Sequence, residues 1–125
     1  MQDFRNLRVW QTARRLTRIV YEVTADFPQA EEFGIRSQLR RASVSVCSNI
    51  AEGCGYFLTV AMGSACESGC VLIVVTDLSF IAGDSLDRAL PVLVETKKML
   101  TSLINRLTPR ARGRRDQQAV KPTKY

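Results

Sequence analysis

Catalysis at neutral pH needs groups that move protons, hold metals or attack electrophiles, and this 125-residue chain offers few of them. It has no histidine, so acid–base work would fall to carboxylates, lysines or tyrosines. Glu52 and Glu67 are the carboxylates that two neighbouring helices could pair. Carboxylate metal centres in helical bundles, however, normally use Glu-x-x-His, which is impossible here. Cys47, Cys54, Cys66 and Cys70 include no Cys-x-x-Cys spacing and fit no common zinc framework. A serine or cysteine nucleophile would also lack its customary imidazole base. The cysteines lie in apolar or small-residue runs and read as small hydrophobes kept reduced. These residues argue against an enzyme and imply neither metal nor cofactor.

The positive charge points to a different chemistry. The formal net charge is +6, and its placement is uneven. Residues 1–105 carry 11 basic and 11 acidic groups, whereas residues 106–125 carry 7 basic groups and only Asp116, giving 7 − 1 = +6. Within the neutral part, residues 1–41 hold 8 bases and 5 acids, and residues 42–87 hold 5 acids and no base. A basic arm on a neutral body makes nucleic acid or an acidic surface the first partner to consider. The candidate phosphate-binding residues are Arg14, Arg15, Arg18, Arg40, Arg106, Arg110, Arg112, Arg114, Arg115, Lys121 and Lys124, with Arg36 and Arg41 beside them. Few aromatic residues are left over from a core, so phosphate contact is expected rather than base stacking. The plainer readings are a solvated helix face and a tail that confers solubility.

Helices must position these groups. Around the stretch Arg40 to Gly53, RRASVSVCSNIAEG, the preceding Leu39 with Ala42, Val46 and Ile50 share one side of a helix. Arg41, Ser45, Asn49 and Glu52 form a second stripe, which reads with Glu67 as a polar row fixing helix register. A first helix is predicted over Asp3 to Phe27 from the recurrence of Leu7, Trp10, Ala13, Leu16, Val20, Val23 and Phe27. Phe27-Pro28 ends it. The second helix runs from Ile35 to Glu52 and stops at Gly53.

Tyr56 to Ile81 is the ambiguous stretch. Its Val71–Val75 run favours a strand by propensity, and its hydrophobicity would suit a membrane span. Glu67 in the middle and the lack of flanking bases oppose the span. A helix buried on most sides within an oligomer is the reading adopted. The last helix carries Leu86, Leu90, Leu93, Lys97, Leu100, Ile104 and Leu107 at fours and threes. Pro91 is accommodated if that helix begins near Asp87. Beyond Thr108-Pro109 a disordered basic tail is expected. The resulting architecture is all-α, an antiparallel up-down-up-down four-helix bundle over residues 1–107 with a tail over 108–125. Asp3, Arg5 and Arg8 interrupt any N-terminal apolar run, so the cytoplasm is the expected location and no membrane partner is foreseen.

Several segments together resemble the bacterial "four helix bundle protein" family, which includes proteins encoded in intervening sequences of large-subunit ribosomal RNA genes. They are FRNLRVW, the corner Phe27, Pro28, Glu32, Phe33 and Gly34, then QLRRASVSVCSNIAEG, AMGSACE and MLTSLINRL. The resemblance implies an up-down-up-down bundle assembled as a homopentamer, with nucleic-acid association suspected and no settled function. The architecture is also similar to that of the accessory variability determinant of diversity-generating retroelements. Two departures stand out: between the Ala-Glu-Gly signature ending at Gly53 and the third helix the chain lacks several residues usual in the family, with Gly55 passing directly to Tyr56, and Gly69 and Val71 replace its acidic and amide positions. The combined expectation is a non-catalytic homo-oligomeric bundle that binds RNA or DNA through phosphates. The alternative is an oligomeric scaffold that recruits a protein partner.

Overall fold

Short connections and side-chain pairs between helices fix the topology. The computed structural model describes residues 3–31 and 33–107. They form α1 (Arg8–Val23), α2 (Ile35–Glu52), α3 (Gly55–Asp77) and α4 (Gly83–Leu107), with 3-10 turns at Phe4–Asn6 and Gln29–Glu31. Each helix packs against its neighbours in the order α1, α2, α3, α4 and back to α1, and the backbones of the diagonal pairs stand apart. Thr12 meets Met99, Arg15 meets Glu95 and Glu22 meets Arg88, so α1 and α4 run antiparallel. Thr24–Arg40 with Thr17–Ser43 sets the same relation for α1 and α2, and Gln38–Glu67 with Ser45–Ser64 does so for α2 and α3. The all-α four-helix bundle is therefore the fold, and no strand occurs among the described residues.

The first helix is shorter at both ends than its apolar periodicity predicts. Asp3 Oδ1 accepts the Arg5 amide at 3.0 Å and caps the Phe4–Asn6 turn. Leu7 is then extended, with φ −76° and ψ 127°, so α1 starts afresh at Arg8. At the other end the buried Thr24 hydroxyl donates to the Val20 carbonyl at 2.7 Å. The chain then turns through Phe27, whose amide donates to the Thr24 carbonyl at 3.3 Å. Phe27 is buried and packs its ring 5.6 Å from that of Phe80, closing this end of the bundle.

Helix α2 has the predicted limits, because Gly53 takes the left-handed conformation at φ +79° and ends it. Only Gly53 and Cys54 separate α2 from α3. The ambiguous stretch is helical from Gly55 to Asp77 rather than to Ile81. The strand alternative fails because Val71, Leu72 and Val75 face the core at helical spacing while Ile73 and Val74 face out. This helix is long and apolar enough to cross a membrane by length and composition. Here its inner face packs between α2 and α4. It ends in a Schellman arrangement: the Phe80 amide donates to Val75 O and the Ser79 amide to Thr76 O, both at 2.9 Å. Ser79 sits in the left-handed region at φ 61°.

Helix α4 begins at Gly83, four residues earlier than the proline suggested, so Pro91 lies inside it. An interior proline forfeits one helical hydrogen bond and costs about 3 kcal/mol. Pro91 and Asp87, whose carbonyl it cannot serve, are both exposed, while the adjacent Ala89, Val92 and Leu93 are buried and hold the turn. The buried seam is Ala89, Val92, Leu93, Thr96, Leu100 and Ile104. Lys97 and Leu107 lie off that seam, contrary to the sequence pattern. Thr96 takes the inward place because its hydroxyl satisfies itself on the Val92 carbonyl at 2.7 Å.

Leu16, Val20, Leu39, Val46, Ile50, Leu58, Leu72, Val75 and Leu100 form the centre of the core. Gly69 lets α4 approach closely, since a Cβ there would stand 2.8 Å from Leu93 Cδ2. Buried Ser43, Ser68, Thr24 and Thr96 each donate to a carbonyl three or four residues earlier. Among the described residues no buried side-chain nitrogen or oxygen lacks a partner.

Candidate nucleic-acid interface

The arginines of α1 project from the side opposite α3. Between Asp3 and Glu22 the chain carries no acid, and Arg8, Arg14, Arg15 and Arg18 are all exposed. Arg14 lies 5.6 Å over the Trp10 ring, which holds its stem against the bundle. Arg15 reaches Glu95 of α4 at 3.4 Å, a contact between two exposed groups that water largely screens. Arg106, in the last turn of α4, shares a cavity of about 330 Å³ with Arg8, Val9, Met99 and Leu103. The chain therefore leaves α4 beside the start of α1. Arg110, Arg112, Arg114, Arg115, Lys121 and Lys124, and the expected tail itself, lie outside the described residues.

Arg40 stands apart from this group. Its Nε donates to the buried Thr24 hydroxyl at 2.8 Å, its Nη2 to the Tyr21 carbonyl at 3.3 Å, and its guanidinium lies 4.3 Å over the Tyr21 ring. These contacts make it a strut of the α1–α2 corner.

The polar stripe of α2 is only partly a register-fixing row. Asn49 Nδ2 donates to the Ser45 carbonyl at 2.8 Å and to its hydroxyl at 3.0 Å. The Ser45 and Ser64 hydroxyls are 2.8 Å apart, which ties α2 to α3. Gln38 Nε2 donates to Glu67 Oε1 at 3.2 Å. Arg41 and Glu52 are exposed instead. Glu52 lies at the far end of α2, about 21 Å along the axis from Gln38 at ~1.5 Å per residue. The carboxylate pair that the sequence allowed therefore does not form.

Two more sequence readings need correction. The four cysteines are free thiols, but only Cys47 is half-buried, and Cys54, Cys66 and Cys70 are exposed rather than packed as small hydrophobes. Burial pushes the Cys47 thiol above its ordinary value, against the smaller opposing pull of the Thr17 hydrogen bond and Arg14. The aromatic residues are not all spent on the core: Phe33 is 90% exposed and Tyr56 72%. Spacing alone hid this, because Phe33 lies in a connection and Tyr56 on the outward side of α3.

That outward side is a continuous seam. Tyr56, Thr59, Gly63, Cys66, Cys70, Ile73 and Asp77 recur at threes and fours, and every one is exposed. Only Asp77, at its end, is charged. This is the spacing with which helices pack along a left-handed supercoil. Since α1 and α3 are diagonal, the arginine face and the uncharged seam point away from each other.

No curated protein matches this chain. A family model described as 23S rRNA-intervening sequence protein matches residues 5–102.

Proposed function

The chain belongs to the 23S rRNA-intervening sequence protein family, and from that premise we propose that it is a non-catalytic, homo-oligomeric RNA-binding accessory protein of the cytoplasm. The observation that carries this reading is the opposition of two faces. The α3 seam offers copies of the chain an uncharged surface on which to associate, and the diagonal α1 face keeps its arginines directed outward. Arg106 and the start of α1 share one end of the bundle, and the sequence from Arg106 onward carries the whole formal charge excess.

Each copy adds 6 basic groups and one acid over residues 108–125, a net 6 − 1 = +5. Repetition around an oligomer makes that charge multivalent. Contacts of this kind release counterions from the phosphate backbone and give affinity that falls steeply with salt.

Binding to a structured RNA at 50 and 200 mM salt tests the proposal, with the full chain compared with one ending at residue 107. Six phosphate contacts predict a loss of roughly a thousandfold over that range. The shortened chain should show a much flatter dependence. Binding that is absent, or indifferent to both salt and truncation, would refute the phosphate mode and favour a protein scaffold. Native mass reports copy number, and a monomer at micromolar concentration would remove the oligomer.

A further inference from the structure

The groove between α2 and α3 holds chemistry that the α1 arginines do not use. It is open to solvent and has a volume of about 650 Å³ lined by Phe33, Gln38, Arg41, Ser45, Ser64 and Glu67, within the ~300–1,000 Å³ common for ligand sites. The Ser45–Ser64 contact fixes the groove's width, and the Gln38 amide holds the Glu67 carboxylate in place. Phe33 leaves its ring open at one end. Arg41 enters from α2 and Glu67 from α3, yet no ion pair joins them. The ion pairs among the described residues are Asp3–Arg5, Arg15–Glu95 and Glu22–Arg88. The Arg41 guanidinium and the Glu67 carboxylate thus line one groove without pairing to each other.

We infer that this groove receives one unpaired guanine base of an RNA strand, an inference that rests on the RNA-binding reading above. Unpaired bases are recognised by stacking on aromatic rings and by hydrogen bonds along their edges. Guanine presents N1–H and its 2-amino group on one edge, donors that a carboxylate such as Glu67 accepts together. Its O6 and N7 accept from a guanidinium, the role that falls to Arg41. Phe33 supplies the stacking surface. Adenine lacks the N1–H and 2-amino donor pair and carries an amino donor where guanine has O6, and pyrimidines lack N7, so each fits Glu67 and Arg41 less well. The Glu31 carboxylate lies against Gly34 at the same end, which suits the groove to a base edge and leaves phosphates to the arginines outside it.

The test uses the full chain and labelled uridine dodecamers carrying one central guanosine, adenosine or inosine, with affinity read by fluorescence anisotropy. Guanosine should bind about tenfold more tightly than adenosine, with inosine between them because it lacks the 2-amino group. Glu67→Gln should abolish the guanosine preference while keeping the salt-dependent affinity and the circular dichroism melt. Phe33→Ala should weaken all three ligands by about tenfold. Equal binding of guanosine and adenosine, with steep salt dependence retained, overturns the guanine site and leaves the phosphate reading standing. No binding of any oligomer overturns both. If Phe33→Ala lowers the native mass and leaves base preference unchanged, the groove is a junction between copies and the inference falls.

Discussion

Replacing Arg40 with alanine should damage the fold before it damages RNA binding. The change removes the 2.8 Å bond to Thr24, the 3.3 Å bond to the Tyr21 carbonyl and the contact over the Tyr21 ring. A hydrogen bond from a charged donor contributes about 1.5–3 kcal/mol, but Arg40 is only half-buried and water recovers part of that. The ring contact adds about 0.5–1 kcal/mol at such a site. A net loss of about 2 kcal/mol follows, or about 1 M in urea midpoint for a chain of this size. Helical circular dichroism in urea, at one fixed protein concentration, reads the shift. Arg40→Lys should recover less than half of it, because an ammonium cannot make the forked contact. Arg18→Ala, at an exposed position with no ring or ion-pair contact among the described residues, should stay within about 0.5 kcal/mol of the parent protein. A midpoint for Arg40→Ala within about 0.2 M of the parent would refute the strut assignment.

Ser79→Gly should raise stability by about 1 kcal/mol in the same assay, since serine holds a left-handed conformation that glycine adopts without penalty. A thiol reagent followed by mass spectrometry at pH 8 should modify exposed Cys54 ahead of Cys47, and Cys66 and Cys70 should react faster on dilution if the α3 seam joins copies. The Cys47 thiol is raised in the folded state, so its contribution to stability is complete below the ordinary value of 9.0 and declines as pH rises past it. A stability unchanged between pH 8 and 10 in a Cys47→Ala variant, beside a falling curve for the parent, would assign that decline to this residue. A parent curve that matches the variant would deny it.

The sequence made the bundle legible because apolar periodicity and helix punctuation agree over most of it. Leu39, Ala42, Val46 and Ile50 are buried as their spacing predicts, and Gly53 ends α2 by the conformation that only glycine takes readily. The misreadings arose where a side chain could satisfy itself locally. Thr96 bonds its own helix and takes an inward position that a hydrophobicity pattern assigns to neighbouring residues. Pro91 suggested a helix start, yet the buried Ala89, Val92 and Leu93 carry the helix through it. The cysteines misled for another reason: small apolar residues suit an inner and an outer face equally, and only the packing of α3 shows that Cys66 and Cys70 face outward. Arg40 looked like its basic neighbours because nothing in its local sequence reveals Thr24 and Tyr21 across the corner. The opposition of Arg41 and Glu67 likewise needed the register between two helices.

That register is set by a two-residue hinge. Only Gly53 and Cys54 span that turn, so losing either would draw Ser64 off Ser45 and carry Glu67 away from Gln38. The link between α3 and α4, residues 78–82, is longer and has slack to absorb such a change. The α2–α3 hairpin therefore works as a vernier. It has no length to spare, and a lone deletion would blind the groove while leaving four helices intact.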